Sequence, residues 1–271
     1  MLRPLSRSLV LVSALLVAGC SSGASGPAPS PEAGSTPEPA RYLALGDSVA
    51  AGVGAPAGRG YPAVLTGLLA ERRGCAATPA DDGCPLELRT VAVPGATTTT
   101  LLRDQVPVAL DEIAGGGVVL VTVTIGGNDV FLPVLSACAA APQDPTCRSA
   151  VEDALAGVDA GVDRVLDALP RSGDGPVVAV MTYDDPLPAC RLAPLAPLAE
   201  QVLEGDGATA GLNDVLRTRA AEHGAVVVET KGRLRVPSDF VGGRDCLHPS
   251  ASGHERIAGT FLDAVGPELG P

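Results

Sequence analysis

The sequence predicts a three-layer α/β/α sandwich built around a parallel sheet. Short apolar runs rich in β-branched residues alternate along the chain with longer segments whose apolar residues recur at helical spacing. Most of the short runs are apolar throughout, which is typical of parallel strands that helices cover on both faces. The 271 residues fit one α/β domain once an N-terminal segment of about forty residues is set aside.

The first half of the body contains three predicted strands and one predicted helix. Residues 42–45 form an apolar run that ends at a glycine, and residues 88–93 alternate apolar and polar before a Pro-Gly turn. Residues 118–125 form a valine-rich run between glycine-rich turns, which is too short to favour a helix. Between the first two strands, residues 64–69 have helical spacing.

The second half continues the alternation. Residues 151–169 place their apolar side chains on one helical face and are followed by a proline. Residues 177–180 and 225–228 repeat the strand pattern. Residues 198–221, which lie between these two strands, have a helical pattern that two glycines interrupt, and residues 257–265 predict a final helix.

The N-terminus has the pattern of an export signal. Arg3 and Arg7 precede an apolar run over residues 9–18, about half the length of a membrane-spanning helix. Small residues end this run immediately before Cys20, as in a bacterial lipobox. We therefore expect a signal peptide over residues 1–19 and acylation of Cys20. The alternative is an ordinary secretory signal followed by an unmodified cysteine.

Residues 20–40 are expected to form a tether, and residues 41–271 the folded domain. The tether consists mainly of Ser, Gly, Ala and Pro, so it has too little apolar area for a core. Loss of two arginines with the signal would leave 17 of 19 basic residues against 31 acidic ones, a formal charge of −14. Attraction to anionic lipids therefore cannot anchor the chain, and acyl chains on Cys20 would have to do so.

The composition excludes two kinds of partner. Acidic residues outnumber basic ones by 31 to 19, and nucleic acid is therefore not expected as a ligand. Aromatic residues make up only 2% of the chain, which argues against stacking platforms for sugars or bases. The 46% of apolar residues suffice for an aliphatic core. We expect a monomer.

The cysteines indicate an oxidising compartment. Six remain beyond Cys20, an even number that fits a set of disulfides, although free buried thiols are an alternative. Proximity along the chain, and elimination for the last pair, favour the pairings Cys75–Cys84, Cys138–Cys147 and Cys190–Cys246. The cysteines and histidines have no spacing typical of zinc ligands, so no metal is expected.

Four groups of polar and small residues follow the predicted strands or precede the last helix. They are Gly46-Asp47-Ser48-Val49, Gly95, Gly126-Gly127-Asn128-Asp129 and Asp245-Cys246-Leu247-His248. Because parallel strands end at one edge of a sheet, we expect these groups to converge there. In their order and spacing they resemble the SGNH hydrolases, also called GDSL-type esterases, from about Arg41 to the C-terminus. The resemblance implies a flavodoxin-like sheet and ester hydrolysis through a covalent acyl-enzyme, with Val49 in place of the usual leucine.

A hydrolytic triad can be assembled from these groups. Ser48 follows a strand on a sharp turn and is the expected nucleophile, but a hydroxyl needs a base. His248 has Asp245 three residues earlier on a predicted loop, where the carboxylate would fix its tautomer and stabilise the imidazolium. The alternative is a surface Asp-His pair without a catalytic role.

The other two histidines have structural interpretations. His223 precedes a glycine at the expected end of a helix, which favours a C-cap. His254 lies in the first turn of the last helix, where Ser252 and Glu255 would form a capping box.

Three donors could stabilise the oxyanion formed by attack on an ester. They are the backbone N–H of Ser48, the backbone N–H of Gly95 and the side-chain amide of Asn128. Gly95 suits a close backbone approach because it has no side chain. The alternative for Gly95 and Asn128 is a role in their turns alone. Asp47 and Asp129 are expected to organise loops through local hydrogen bonds.

The sequence thus predicts an exported, lipid-anchored serine esterase or lipase that uses no metal or cofactor. Its substrate would be a small-molecule or lipid ester, and it would be secreted if Cys20 were not acylated. The acidic pairs Asp81-Asp82 and Asp184-Asp185 are expected to be solvated loop charges. The alternative function is that of a non-enzymatic envelope lipoprotein using the same fold to bind a ligand.

Overall fold

A computed structural model describes residues 39–74, 86–170, 175–190, 192–243 and 245–270. Its centre is a five-stranded sheet in the order β2-β1-β3-β4-β5, and all four pairings are parallel. The strands are β1 Ala40–Gly46, β2 Leu86–Thr90, β3 Val118–Thr124, β4 Val177–Met181 and β5 Val226–Val228.

Eight described helices accompany the sheet. They are α1 Tyr61–Arg72, α2 Thr98–Thr100, α3 Val106–Ala114, α4 Gly127–Cys138, α5 Pro145–Ala168, α6 Ala196–Glu204, α7 Leu212–Glu222 and α8 Ala251–Val265. A π-helical turn, Leu101–Gln105, connects α2 to α3, and two 3₁₀ turns, Leu187–Ala189 and Ala193–Leu195, precede α6. Among the described helices, none combines the length and apolarity that crossing a membrane requires.

Alternate residues of β1 belong to two separate apolar cores. Tyr42 and Ala44 pack with residues of α1 and α8, whereas Leu43 and Leu45 pack with residues of α4, α5 and α7. Because successive side chains of a strand point to opposite faces, the helices cover both sides of the sheet. The predicted three-layer α/β/α sandwich is therefore confirmed.

The sheet is especially tight where β1 meets β3. Gly46 has a φ of +139°, and a Cβ there would overlap the carbonyl oxygen of Thr124. A residue with a side chain would separate the two strands at the point where the Ser48 turn begins. Gly46 is also held by Gln105, whose amide accepts from the Gly46 N–H and donates to its C=O, each at 2.8 Å.

Several local expectations are wrong. The helical pattern over residues 198–221 is interrupted where its two glycines predict, between α6 and α7, whereas α2, α3 and α4 have no counterpart among the predicted elements. Residues 245–249, expected as a loop, form β7 Asp245–Pro249, which pairs antiparallel with β6 Phe240–Gly242. Strand β1 begins at Ala40, one residue inside the expected tether.

The capping box expected at the last helix is also absent. Ser250, not Ser252, is the N-cap of α8, and its hydroxyl accepts from the Gly253 N–H. Ser252 instead donates to a carboxylate oxygen of Asp239 at 2.8 Å.

Two of the three expected disulfides lie within the described residues. Cys138–Cys147 joins the end of α4 to the start of α5, with a Cα–Cα distance of 4.7 Å. Cys190–Cys246 joins the turn after β4 to β7, with a Cα–Cα distance of 5.2 Å. The pairing of Cys75 with Cys84, the lipobox cysteine Cys20 and the expected signal peptide fall outside the described residues.

Candidate active site

The strand order brings three of the four predicted groups to one edge of the sheet. Strand β1 lies between β2 and β3. The Ser48 turn that follows β1 is therefore flanked by the turn of Gly95, after β2, and by the start of α4, after β3. Asn128 is the second residue of α4. His248, from the fourth group, lies on β7 and borders the same cavity as Ser48 and Asn128.

Backbone hydrogen bonds fold the chain around Ser48 into a tight turn. The Val53 N–H donates to the Ser48 carbonyl oxygen at 2.9 Å, and the Ala51 N–H donates to that of Asp47 at 3.0 Å. The Asp47 carboxylate accepts from the Val49 N–H at 2.9 Å. Asp47 thus organises the loop as predicted, while the side chain of Val49 is buried.

Asp47 is almost completely buried, with only 2% of its surface exposed. Burial raises its pKa to about 6, and hydrogen bonds from Tyr183 and Val49 oppose that rise. The Tyr183 hydroxyl donates to the carboxylate at 2.6 Å. Tyr183 was not singled out from the sequence, although it follows the predicted strand over residues 177–180 at the edge where the other groups converge.

His248 and Asp245 form the predicted pair. The distance from Nδ1 of His248 to the nearer carboxylate oxygen of Asp245 is 2.7 Å. With Asp245 ionised, Nδ1 carries the proton of the neutral ring, so the unprotonated nitrogen is Nε2. A strand rather than a loop provides this spacing.

Asn128 and Gly95, two of the three predicted oxyanion residues, differ in their surroundings. The Asn128 amide donates one hydrogen bond to the Ala96 carbonyl oxygen at 2.9 Å, and this amide has a second hydrogen. Gly95 has a φ of +81°, and a Cβ there would meet nothing within 4 Å. The positive φ, and not close packing against other atoms, therefore explains why a glycine is favoured at position 95. Gly95 is not among the residues that line the cavity.

A second carboxylate connects the loops on either side of Ser48. The Asp129 carboxylate accepts from the Thr98 N–H and from the Thr98 hydroxyl, the latter at 2.6 Å. Asp129 organises a loop as expected, but its partner Thr98 is 31 positions away, so the expectation that these hydrogen bonds are local is wrong. This contact joins the start of α4 to the start of α2, beside the Asn128–Ala96 hydrogen bond.

The cavity that Ser48, Asn128 and His248 border has a volume of about 190 Å³. Its walls are mainly aliphatic and come from α4 and α6. Residues from these helices include Val130, Phe131, Val134, Leu198, Val202 and Leu203.

The expectation that Asp184 and Asp185 are solvated charges is wrong. Both line the cavity, and Asp185 is only 7% exposed. Asp184 accepts from the backbone N–H groups of Gly232 and Leu234, and Asp185 from that of Leu187. Burial raises the pKa of both carboxyl groups. The other acidic pair, Asp81-Asp82, falls outside the described residues.

The titratable residues of the described ranges form no metal site. Within the part of the chain that the structure describes, no group of three or more His, Cys, Asp or Glu residues is arranged to hold a metal ion. His223 is the C-cap of α7, as predicted, and its Nε2 lies 2.8 Å from the Asp163 carboxylate.

Sequence comparison identifies relatives of this chain. Residues 44–256 match the family described as GDSL-like lipase/acylhydrolase. A protein named Lipase 2 from Streptomyces coelicolor is 29% identical, in an alignment covering 83% of this chain and 85% of the relative.

Structural comparison agrees with this placement at the level of the fold. A lipase from a goat rumen metagenome superposes with a TM-score of 0.61 at 19% identity, covering 85% of this chain and all of that one. Phospholipase A1 from Streptomyces albidoflavus superposes with a TM-score of 0.55 at 23% identity, covering 84% and 100%. The family match covers most of the chain and contradicts the non-enzymatic alternative. The chain belongs to the GDSL-like lipase/acylhydrolase family and is an enzyme that hydrolyses carboxylic esters.

Proposed function

We propose that this enzyme hydrolyses esters whose acyl chain is considerably longer than acetyl, with Ser48 as nucleophile and His248 as base. The observation that carries the proposal is the shared cavity, where both residues border a space enclosed by aliphatic side chains of α4 and α6. The substrate class is a lipid or another apolar acyl ester. The enzyme acts on it as a monomer.

The acylation step follows from the positions of the polar groups. Ser48 Oγ attacks the ester carbonyl while Nε2 of His248 takes the hydroxyl proton. The Asp245 carboxylate, 2.7 Å from Nδ1, stabilises the imidazolium that results. The imidazolium then protonates the leaving alcohol, and an acyl ester on Ser48 remains.

The oxyanion is stabilised by three donors. They are the backbone N–H groups of Ser48 and Gly95 and the hydrogen of the Asn128 amide that does not bond Ala96. In the second half of the reaction, water attacks the acyl-enzyme and His248 takes its proton. Return of that proton to Ser48 releases the carboxylic acid and restores the free enzyme.

The cavity is large enough for a hydrocarbon chain. An apolar cavity of about 150 Å³ suffices for benzene, which has six carbons, and this one has about 190 Å³. Each buried methylene contributes about 0.8 kcal/mol, which corresponds to a factor of about four in kcat/KM. An acetyl group would leave most of the cavity without contacts.

A series of p-nitrophenyl esters tests this assignment. We expect kcat/KM to rise about fourfold per methylene from acetyl towards hexanoyl, and to level off when the cavity is filled. The leaving group, p-nitrophenol, is the same throughout the series, so a dependence of kcat/KM on chain length must come from a site that binds the acyl chain. A flat series, or one that favours acetate, would contradict the proposal.

Two substitutions at one wall residue provide the matched control. Val202, on α6, lines the cavity and is buried. Val202→Phe should shift the preferred acyl chain to a shorter length, and Val202→Ala to a longer one. General destabilisation cannot produce opposite shifts in chain-length preference.

The location proposed for the enzyme is the outer face of the cell membrane. Two disulfides within the described residues support export to an oxidising compartment, and so does the signal-like N-terminus. The lipobox-like sequence before Cys20 supports acylation of that cysteine.

Replacing Cys20 with Ser tests the anchor. We expect the wild-type enzyme to fractionate with membranes and the Cys20→Ser variant to be found in the soluble fraction, because the acidic chain has no affinity for anionic lipid. Mass spectrometry of the mature N-terminus measures acylation directly. An unmodified Cys20 in the wild type would mean that the enzyme is freely secreted.

A further inference from the structure

His254 is a completely buried histidine that the proposed reaction does not use. It lies in the first turn of α8, and none of its surface is exposed. Nδ1 accepts a hydrogen bond from the Tyr61 backbone N–H at 3.1 Å. Because a backbone N–H can only donate, Nδ1 is unprotonated and the ring proton is on Nε2. Nε2 therefore donates to the Val53 carbonyl oxygen, 3.0 Å away.

Burial keeps His254 in this neutral form. Desolvation lowers its pKa, and the nearby His248 acts in the same direction. The two hydrogen bonds fix the ring between the start of α1 and the segment after the Ser48 turn. The ring of Tyr61 lies nearly parallel to that of His254, with centroids 6.5 Å apart.

Val53, which is hydrogen-bonded to His254, is also hydrogen-bonded to Ser48. Val53 accepts from His254 through its carbonyl oxygen and donates through its N–H to the carbonyl oxygen of Ser48, at 2.9 Å. Two consecutive hydrogen bonds thus connect the buried imidazole with the backbone of the proposed nucleophile.

The next residue, Gly54, packs against the strand that carries the proposed base. Gly54 has a φ of +98°. A Cβ on it would overlap the Pro249 carbonyl oxygen and lie 3.2 Å from the Cβ of His248. Val53 and Gly54 together therefore contact the nucleophile turn on one side and the base on the other.

We infer that His254 is a positioning residue, which sets the Ser48–His248 geometry by holding the Val53–Gly54 segment through its Nε2–H. The inference rests on the proposed roles of Ser48 and His248. A displacement of about 1 Å between reacting groups can cost a factor of about 100 in rate. The Nε2 bond should therefore affect kcat, whereas the Nδ1 bond to Tyr61 should affect stability alone.

Two conservative substitutions separate the two ring nitrogens. The amide of Gln extends to the position of Nε2 and can donate to Val53, whereas that of Asn reaches only the position of Nδ1 and can accept from Tyr61. Each variant loses one buried hydrogen bond, so both should lower the thermal midpoint by similar amounts. We expect His254→Asn to lower kcat by 10- to 100-fold and His254→Gln to stay within about threefold of the wild type.

The measurements are kcat, KM, the thermal midpoint and the rate at which a fluorophosphonate inactivates the enzyme. The inactivation rate should fall in His254→Asn by the same factor as kcat, because attack by Ser48 is common to both reactions. KM should change little. Equal kcat values in the two variants, or a loss that tracks the thermal midpoint alone, would overturn the inference.

Gly54→Ala tests the same segment if the histidine variants do not fold. Displacement of Val53–Gly54 by the added methyl group should lower kcat and the inactivation rate together. Full activity in folded Gly54→Ala enzyme would overturn the inference. The proposed function fails by a different result, namely esterase turnover that survives loss of the Ser48 hydroxyl.

Discussion

Replacing Ser48 with Ala should lower kcat for a p-nitrophenyl ester by a factor of about 10⁴ or more. In the proposed reaction the Ser48 hydroxyl forms the covalent bond to the acyl group. Without that hydroxyl, neither formation nor hydrolysis of the acyl-enzyme can take place. The turn around Ser48 is held by backbone atoms and by Asp47, so the thermal midpoint should be nearly unchanged. Hydrolysis assays with the p-nitrophenyl ester measure kcat, and thermal unfolding of the same preparation measures the midpoint.

Ser136 provides the matched control for this substitution. It lies on α4, directly after Leu135, which lines the cavity, and Ser136 itself is exposed. Ser136→Ala makes the same change in atoms and should retain full activity. A fluorophosphonate should label Ser48 in the wild type and in Ser136→Ala. Label on another serine, together with turnover in Ser48→Ala, would refute the assignment of the nucleophile.

Replacing Asn128 with Ala should lower kcat by roughly 10²–10³ with a small change in KM. A donor to the oxyanion bonds the transition state more strongly than the substrate, so its loss appears mainly in kcat. The same substitution also removes the hydrogen bond to Ala96, which holds two loops together. A loss of stability is therefore expected in addition, and kcat must be measured per folded molecule.

Thr98→Val controls for the structural part of this effect. It removes the hydroxyl that donates to Asp129 at 2.6 Å, and so loosens the same pair of loops without changing the Asn128 amide. We expect a lowered thermal midpoint and a kcat within about threefold of the wild type. If Thr98→Val and Asn128→Ala reduced kcat equally, Asn128 would be a loop residue and not an oxyanion donor.

Much of the sheet could be predicted because the strands carry their own signal. Residues 177–180 are apolar throughout, and residues 118–125 are apolar except for Thr122 and Thr124, a pattern that follows from burial on both faces. Helix α4 could not be predicted with the same ease. It begins with glycines and contains Pro133, so its local preferences are poor, and packing of its apolar face in the core stabilises it.

The hairpin β6–β7 shows another limit of local patterns. Asp245–Pro249 contains a charged residue, a cysteine and a proline, which together resemble a loop. Pairing with Phe240–Gly242 and the Cys190–Cys246 disulfide hold this segment as a strand. The pairing is irregular in register, and the disulfide joins residues 56 positions apart, so neither contact is visible as a local pattern. The Asp245–His248 pair could be found from the sequence because its chemistry depends on residue type and spacing more than on conformation.

The residues that sequence reasoning missed act through long-range contacts. Gln105 binds both backbone groups of Gly46 from a π-helical turn, and Tyr183 binds Asp47 from the far side of β3. The neighbours of His254 in the chain predict only a place in the first turn of a helix, whereas its hydrogen-bond partners are Tyr61 and Val53. Each of these contacts spans at least 59 positions, so no local pattern could indicate it.

The separation of β6–β7 from the main sheet has a consequence for how this enzyme could be redesigned. The hairpin forms a two-stranded sheet of its own, whereas the strands before Ser48, Gly95 and Asn128 belong to the five-stranded one. The proposed nucleophile and oxyanion donors thus follow strands of the main sheet, whereas the proposed base and its carboxylate lie on a separate hairpin that the Cys190–Cys246 disulfide ties to the turn after β4. Leu247, which lines the cavity from this hairpin between Cys246 and His248, is therefore a position where substitutions can alter the site without changing the register of the five-stranded sheet.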